Sequence, residues 1–322
     1  MADTSAPDSS SPVSSSRLPA LGAIVAAGII WGTIPLVIRA ADGASLVKVF
    51  YRVLFAGTAI AGWMAATGRL SELRGLGRRK VAQVAVQGAI LAVNWVLFLT
   101  ALDLTNVATA ELLGYTGPVF VALLAPLITG ERFRAWVLVP LAMALGGIVL
   151  ILAPQGLGVP GSRQLLGAGL AFASALTYAA LLLRSKKLLR GISGGALMLV
   201  EYAVASVLLA PFAIWEYAHG HGPSTAASYA ALLCLGLVQT AFAGVIFLHG
   251  LRRLRTDSAA ILTYAEPASA VVFAALFLAE PLTWWTVAGG TLVVVAGLLV
   301  ARMERPGLVE PVSIEAAGTE PS

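Results

Sequence analysis

The chain has 322 residues, of which 58% are hydrophobic and only 11% charged, with mean hydropathy +0.87. An ordinary soluble domain carries about 25% charged residues, so this composition cannot supply a water-facing exterior and lipid must cover most of it. The net charge of +5 does not indicate a nucleic-acid partner, because the basic residues sit in short clusters between apolar runs rather than along one face.

Residues 1–16 are rich in Ser, Pro, Ala and Asp and lack a basic stretch ahead of an apolar one, so they read as a disordered tail rather than a signal peptide. Ten apolar segments follow, at 19–38, 46–66, 81–101, 107–129, 135–153, 165–184, 196–216, 227–248, 258–279 and 284–302. Each is near the roughly 20 residues that a helix needs to cross a hydrocarbon core about 30 Å thick. From Pro306 the chain is polar again and reads as a second tail. The expected class is an all-α integral membrane protein of ten transmembrane helices. Its divisions are a tail at 1–16, a five-helix unit over 17–154, a second over 155–303 and a tail at 304–322. The single cysteine, Cys234, lies in an apolar run and can form no intramolecular disulfide.

With the N-terminus inside, the cytoplasmic connections and span ends collect Arg17; Arg69, Arg74, Arg78, Arg79 and Lys80; Arg132 and Arg134; Arg184, Lys186, Lys187 and Arg190; Arg252, Arg253 and Arg255; and Arg302 and Arg305. That is seventeen of the 21 basic residues, against Arg39, Lys48, Arg52 and Arg163 opposite. The bias follows the positive-inside rule, so both termini are expected in the cytoplasm of a bacterial-type inner membrane.

The halves resemble each other. Leu113-Gly-Tyr115-Thr-Gly-Pro118 aligns with Leu262-Thr-Tyr264-Ala-Glu-Pro267 at an offset of 149, which also sets Glu131 on Glu280. An offset of 147 sets Gly22 and Trp31 beside Gly169 and Tyr178. Five spans per half is an odd number, so the halves run through the membrane in opposite senses. This is the inverted-repeat plan of secondary transporters, with the site near the midplane between the halves.

On these residues the chain resembles the EamA family of the drug/metabolite transporter superfamily: Gly22 and Trp31 in helix one, Pro118 and Pro267 in helices four and nine, Glu131 and Glu280 closing those helices. The resemblance covers roughly residues 19 to 303. It implies a ten-helix bundle around a central cavity walled by helices of both halves, with four and nine among them, and export in preference to import. It leaves the solute open among amino acids, sugars, nucleosides and drugs.

Pro118 and Pro267 fall mid-span, where proline removes a backbone hydrogen bond, so they are expected either to kink the bundle or to hinge it for alternating access. Gly146, Gly147, Gly289, Gly290 and Gly297 fit close helix packing. Charged groups inside spans are expensive and mark functional sites by default; the candidates are Lys48, Arg52, Glu111, Glu201 and Glu266. Lys48 can snorkel to the interface, Arg52 needs a carboxylate partner or a pore-facing role, and Glu266 can bond kinked backbone beside Pro267. Tyr115 and Tyr264 can stack on and orient an organic solute or simply tie helices together. The repeat pair Trp31 and Tyr178 joins them as substrate-contacting candidates, as do Gln87, Asn94, Trp95 and Gln239, polar or aromatic groups at membrane depth that could equally bind neighbouring helices. Glu111 and Tyr115 are four residues apart and share a helix face, whereas Glu266 and Tyr264 differ by two and point apart. The repeat equivalent of Glu111 is Ala260, so this acid breaks the symmetry. It suits selection of an amine-bearing solute or carriage of a coupling proton, and the alternative is a salt bridge to Arg52.

No cofactor is expected. A Gly-x-x-x-x-Gly-Lys-[Ser/Thr] loop is absent, and His219 and His221 stand in an outer loop without a ligand cluster. A membrane-embedded enzyme is disfavoured because the sequence holds no His-Glu-x-x-His, and the Gly-x-Ser-x-Gly match around Ser193 lies between apolar helices with no preceding strand. A sensory or structural protein fits the duplicated halves poorly. The expected partners are therefore a small-molecule substrate, the bilayer and protons as a candidate coupling ion, without nucleic acid; the oligomeric state is open, a homodimer included. Cysteines placed in the 67–80 and 184–194 connections are expected to resist impermeant thiol reagents in intact cells. Labelling of both would overturn the orientation.

Overall fold

The structure is a computed structural model that describes residues 17–152, 161–278 and 282–303. Both expected tails, the link between the halves and Glu280 lie outside the described residues. A bilayer core offers no water to backbone N–H and C=O groups, so a crossing segment must satisfy them within itself. Among the described residues ten helical spans do so: α1 (Leu18–Arg39), α2 (Ser45–Ala66), α3 (Arg78–Leu104), α4 (Thr109–Thr129), α5 (Ala135–Leu152), α6 (Ser162–Leu188), α7 (Gly194–Ala218), α8 (Ala226–Arg253), α9 (Thr256–Leu278) and α10 (Trp284–Met303).

The principal pairings obey the inverted repeat. The helices α2 and α7, α4 and α9, and α5 and α10 each pack on their own counterpart, while α3 packs on α6 and, reciprocally, α8 on α1. Glycines permit the closest crossings: a Cβ on Gly147 would stand 2.5 Å from the Gly289 carbonyl oxygen, and one on Gly289 would stand 2.4 Å from that of Gly147. Gly28 and Gly32, four residues apart on α1, press in the same way on the backbone of α9. Gly146 and Gly290 meet nothing within 4 Å, so close packing accounts for only some of the glycines in these two helices.

Three spans are interrupted. The helix of α1 ends at Trp31 and restarts at Ile34 with Pro35 in its first turn; α4 is divided between Val107–Gly114 and Gly117–Thr129; α9 between Thr256–Leu262 and Ala265–Leu278. Pro118 therefore lies in the first turn of a new helix, where its missing N–H leaves no bond unmade, rather than in the middle of a kinked one. At each interruption a threonine hydroxyl donates to the carbonyl three residues back: Thr33 to Ile30, Thr116 to Leu113 and Thr263 to Ala260, each at 2.6 Å. The repeat is not perfect, because α6, the counterpart of α1, runs unbroken. Likewise α3 is regular while α8 widens into a π-helical stretch over Leu235–Phe242, where the Thr240 hydroxyl donates to the Leu235 carbonyl at 2.8 Å.

The end of the bundle rich in Arg and Lys is sealed. The first helix of α9, Thr256–Leu262, is buried along its whole length and packs on Gly117–Thr129. The Glu131 carboxylate accepts from the Thr256 N–H at 3.1 Å and from its hydroxyl at 2.7 Å, so it caps α9. Arg255 pairs with Asp257 at 2.7 Å and lies 3.8 Å from Glu131, while Arg190 donates to the Thr129 carbonyl that ends α4, at 2.6 Å. Lys186 donates to the Leu251 and Leu254 carbonyls closing α8. Ser193, in the Gly-x-Ser-x-Gly match, is the N-cap of α7 and donates to Glu72, and that bond, with Arg69 second, holds the Glu72 carboxyl below the usual carboxylate range. At the opposite end Val107–Gly114 packs on α6 and Ala265–Leu278 packs on α1 and α10; of Ala265–Leu278 only Pro267 is buried. Away from the basic end the halves of α4 and α9 thus pack on different neighbours, whereas at the basic end they pack on each other.

Gly147→Ala should lower stability by about 1–3 kcal/mol through overpacking against α10, whereas Gly146→Ala, which meets open space, should leave it unchanged or raised. Thermal unfolding in detergent reads both, and equal effects would refute the crossing.

Candidate functional site

The interruptions of α4 and α9 bring the two repeat tyrosines together. The Tyr115 and Tyr264 rings lie 6.2 Å apart at 53°, and the Tyr264 hydroxyl donates to the Tyr115 carbonyl at 2.6 Å. That carbonyl belongs to the turn that a continuous helix would have closed, so Tyr264 supplies a bond the break would otherwise forfeit. Tyr264 is wholly buried and Tyr115 half-buried. The Tyr178 hydroxyl stands 3.3 Å from that of Thr263, on the same turn of α9.

Around this pair stand the charged candidates. Glu266 couples electrostatically to Arg52 and Glu111, and both carboxyls couple to Tyr115. Glu266 thus shares a neighbourhood with Tyr115 and Tyr178, while Tyr264 couples to Tyr178 and not to it. Arg52 is fixed on two sides: its Nε donates to the Thr240 hydroxyl at 2.7 Å, and its guanidinium lies 4.9 Å from the centre of the Trp95 ring. Its electrostatic partners are Glu266 and Tyr202 rather than Glu111. Among the described residues it has no carboxylate within ion-pair distance, so the expected salt bridge to Glu111 is not formed.

Trp31 and Gln239 form a second group beside the first. The Trp31 indole N–H donates to the Gln239 carbonyl at 2.8 Å, its ring packs 5.1 Å from Phe247, and the buried Gln239 amide donates to Thr33 at 3.1 Å. The break of α1 and the widened stretch of α8 therefore satisfy each other's polar groups. Gln87 and Asn94 do analogous work between α3 and α6. Gln87 donates to the Leu181 carbonyl at 2.9 Å and to Ser185 at 2.8 Å and accepts from Arg184, while Asn94 donates to the Ser174 carbonyl at 2.7 Å and to Thr177 at 2.8 Å. Glu131 lies at the sealed end, away from the tyrosines. Among the described residues no group of three His, Cys, Asp or Glu is placed to hold a metal ion, and His221 is an exposed partner of Glu216 at 2.7 Å.

Sequence reasoning did not single out Thr33, Thr240, Thr263 or Tyr202. The spacing Thr33-x-Pro35, repeated as Thr116-x-Pro118, was a readable mark for two of the breaks. Thr240 carries no such mark, because its role depends on the widened turn of α8.

The profile of the EamA-like transporter family matches residues 18–153 and 165–302, one copy on each half. The chain belongs to the EamA-like transporter family. An uncharacterized transporter of Archaeoglobus fulgidus is 28% identical over 284 residues, covering 88% of this chain and 96% of that protein. The protein RarD of Escherichia coli is 27% identical over 206 residues, 63% of this chain and 65% of its own length. A Streptantibioticus cattleyicolor protein described as a probable terminal-alkyne amino-acid exporter is 27% identical over 194 residues, 60% of this chain and 64% of that one. A solved crystal structure superimposes with TM-score 0.76 at 21% identity, covering 91% of this chain and 99% of the other, which establishes the shared fold. This EamA protein is thus a multi-pass membrane transporter of a small molecule, built on two inverted five-helix repeats.

The two tyrosines are chemically alike but differently committed. Tyr264→Phe should cost about 1 kcal/mol of stability, the worth of one hydrogen bond, with solute binding near wild type. Tyr115→Ala should weaken binding roughly tenfold through a lost aromatic contact. Calorimetry and thermal unfolding of the two variants separate these effects, and intact binding in both would reduce the pair to a helix tie.

Proposed function

We propose that this protein is a secondary transporter that exports an amine-bearing solute, an amino acid or a drug-like amine, across the inner membrane by alternating access. The observation that carries the reading is the set of charges at the interrupted helices. Two carboxyl groups, Glu111 and Glu266, share one electrostatic neighbourhood with a single guanidinium, Arg52, which is already held by Thr240 and Trp95. One acid is therefore left in excess inside the membrane-spanning bundle, and a low-dielectric surrounding demands a cation or a proton to balance it. A solute ammonium supplies that balance, and the half-buried Tyr115 ring supplies a face on which its organic part can stack.

The alternating-access part rests on the unequal ends of the bundle. With the Arg- and Lys-rich end assigned to the cytoplasm by the positive-inside rule, the separately packed halves of α4 and α9 face outward and the seal made by Glu131, Thr256 and Arg190 faces the cell interior. The second state would open that seal and close Val107–Gly114 upon Ala265–Leu278, exchanging the environments of two repeat-related helix halves. The breaks at Tyr115–Thr116 and Thr263–Tyr264 are the places where such movement costs the fewest hydrogen bonds. The resemblance to a protein described as an amino-acid exporter accords with an amine-bearing solute.

Glu111→Gln keeps the side-chain shape and removes the charge. Transport of an amine-bearing solute by purified protein in liposomes should then fall roughly ten- to a hundredfold, the worth of a hydrogen bond to a charged group, while the melting temperature stays near wild type. Undiminished transport of the amine by this variant would sink the reading.

A further inference from the structure

The basic end of the bundle holds a recess lined by cations and by no acid. It opens between the start of α3 and the end of α6, has a volume of about 310 Å³, and is walled by Lys80 and Gln83 of α3, Arg184, Lys187 and Leu188 of α6, and Ile192 of the turn that follows. Two of the three cations are held by uncharged oxygens. Lys80 Nζ donates to the Gly191 carbonyl at 3.1 Å, while Arg184 donates to the Gln83 carbonyl at 2.9 Å and through Nε to the Gln87 side chain at 3.1 Å. Lys187 is exposed and makes no bond among the described residues. Among those residues none of the three cations has a carboxylate within ion-pair distance, and Glu72, the acid nearest to Lys80 in the sequence, is bonded to Arg69 and Ser193. The packing itself does not demand such a cluster. At the repeat-related junction, where α1 ends and α8 begins at the opposite end of the bundle, stands an acid, Asp42, whose N–H donates to Ser228 and whose carboxylate accepts from the Ser224 N–H, each at 3.1 Å.

We propose that this recess binds the phosphate headgroup of an anionic phospholipid from the leaflet at the basic end. Like charges gathered around one recess repel each other, and an anion that enters it relieves the repulsion and meets donors already held in position. The shape of the surroundings selects a lipid over a soluble anion. Toward mid-membrane α3 exposes Val86 and Val93, about one and three turns deeper than Gln83, and α6 exposes Leu176, about three turns deeper than Lys187 and on the same helix face. Acyl chains can lie along these side chains while the headgroup is held above them, a contact that a free phosphate cannot make. Because α3 belongs to the first repeat and α6 to the second, the bound lipid ties the halves together along the seam where Gln87 and Asn94 make their bonds. The proposal is independent of which solute is carried.

The test uses the full-length protein, delipidated in a neutral detergent and titrated with phosphatidylglycerol, phosphatidylcholine or inorganic phosphate while thermal unfolding is followed. Phosphatidylglycerol should raise the melting temperature of the wild type, and the other two should not. The triple variant Lys80→Gln, Arg184→Gln, Lys187→Gln should bind phosphatidylglycerol roughly a hundredfold more weakly, at roughly fivefold per cation. A control variant, Arg132→Gln, Arg252→Gln, Arg302→Gln, removes the same charge from exposed positions at the same end outside the recess and should bind like the wild type. Equal losses in the two variants would reduce the effect to diffuse surface charge and overturn the proposal. Stabilisation by inorganic phosphate to the same extent as by phosphatidylglycerol would show a soluble-anion site and overturn it as well. Should the triple variant not fold, Lys187→Gln alone breaks no bond among the described residues and must weaken phosphatidylglycerol binding roughly fivefold; unchanged affinity refutes the site.

Discussion

The constraint on which the rest of this structure depends is that a backbone in lipid has no water to bond to. Seven of the ten spans meet it without a break in the helix, one of them, α8, by widening into a π-helical stretch. The other three are broken at mid-bundle, and each break is repaired locally by a threonine hydroxyl that takes a carbonyl of the preceding turn. Longer-range repairs follow from the same need: Tyr264 reaches the Tyr115 carbonyl, and Trp31 reaches that of Gln239. The candidate site is thus assembled from the groups that compensate for broken helices, and its polar character has the same origin as the integrity of the fold.

That origin explains which polar residues are committed and which are free to act on a solute. Gln87, Asn94, Gln239 and Tyr264 spend their donors on carbonyls and hydroxyls of neighbouring helices. Glu111 and Glu266 are acceptors without a proton donor among the described residues, in a region where donors are otherwise consumed. Arg52 is intermediate, with Nε bonded and its charge shared electrostatically. The sealed end of the bundle shows the opposite economy. There Glu131, Arg190, Lys186 and Arg255 all terminate helices, so charge near the basic surface serves closure rather than recognition.

Much of the architecture was legible in the sequence because membrane crossing imposes a length and a composition on every span. The ten apolar runs and the odd number per half follow from that, and the correspondence of Tyr115 with Tyr264 follows from the internal repeat at an offset of 149. The helix breaks were half legible: Pro118 and Pro267 marked the region, but the interruptions fall at Tyr115–Thr116 and Thr263–Tyr264, since proline is accommodated at the start of the next helix rather than inside one. The targets of Gln87 and Asn94 could not be read at all, as an amide in a bilayer takes whichever carbonyl the tertiary packing brings near. Nothing in Leu235–Phe242 announces the widened turn of α8, whose identity lies in backbone register and not in side-chain type.

The exchange of partners between the halves has a consequence for how the protein is made. The third helix of each half packs on the first helix of the other, so neither half contains the surfaces that would bury its own glycine-lined and amide-bearing faces. While α1–α5 have been synthesised and α6 has not, Gln87 and Asn94 lie in the membrane without the carbonyls of Leu181 and Ser174 that they eventually bond. Assembly must therefore be a single late event that waits for the second half to arrive. A nascent chain halted after α5 would present unsatisfied amides to lipid, the kind of lesion that membrane quality control can recognise.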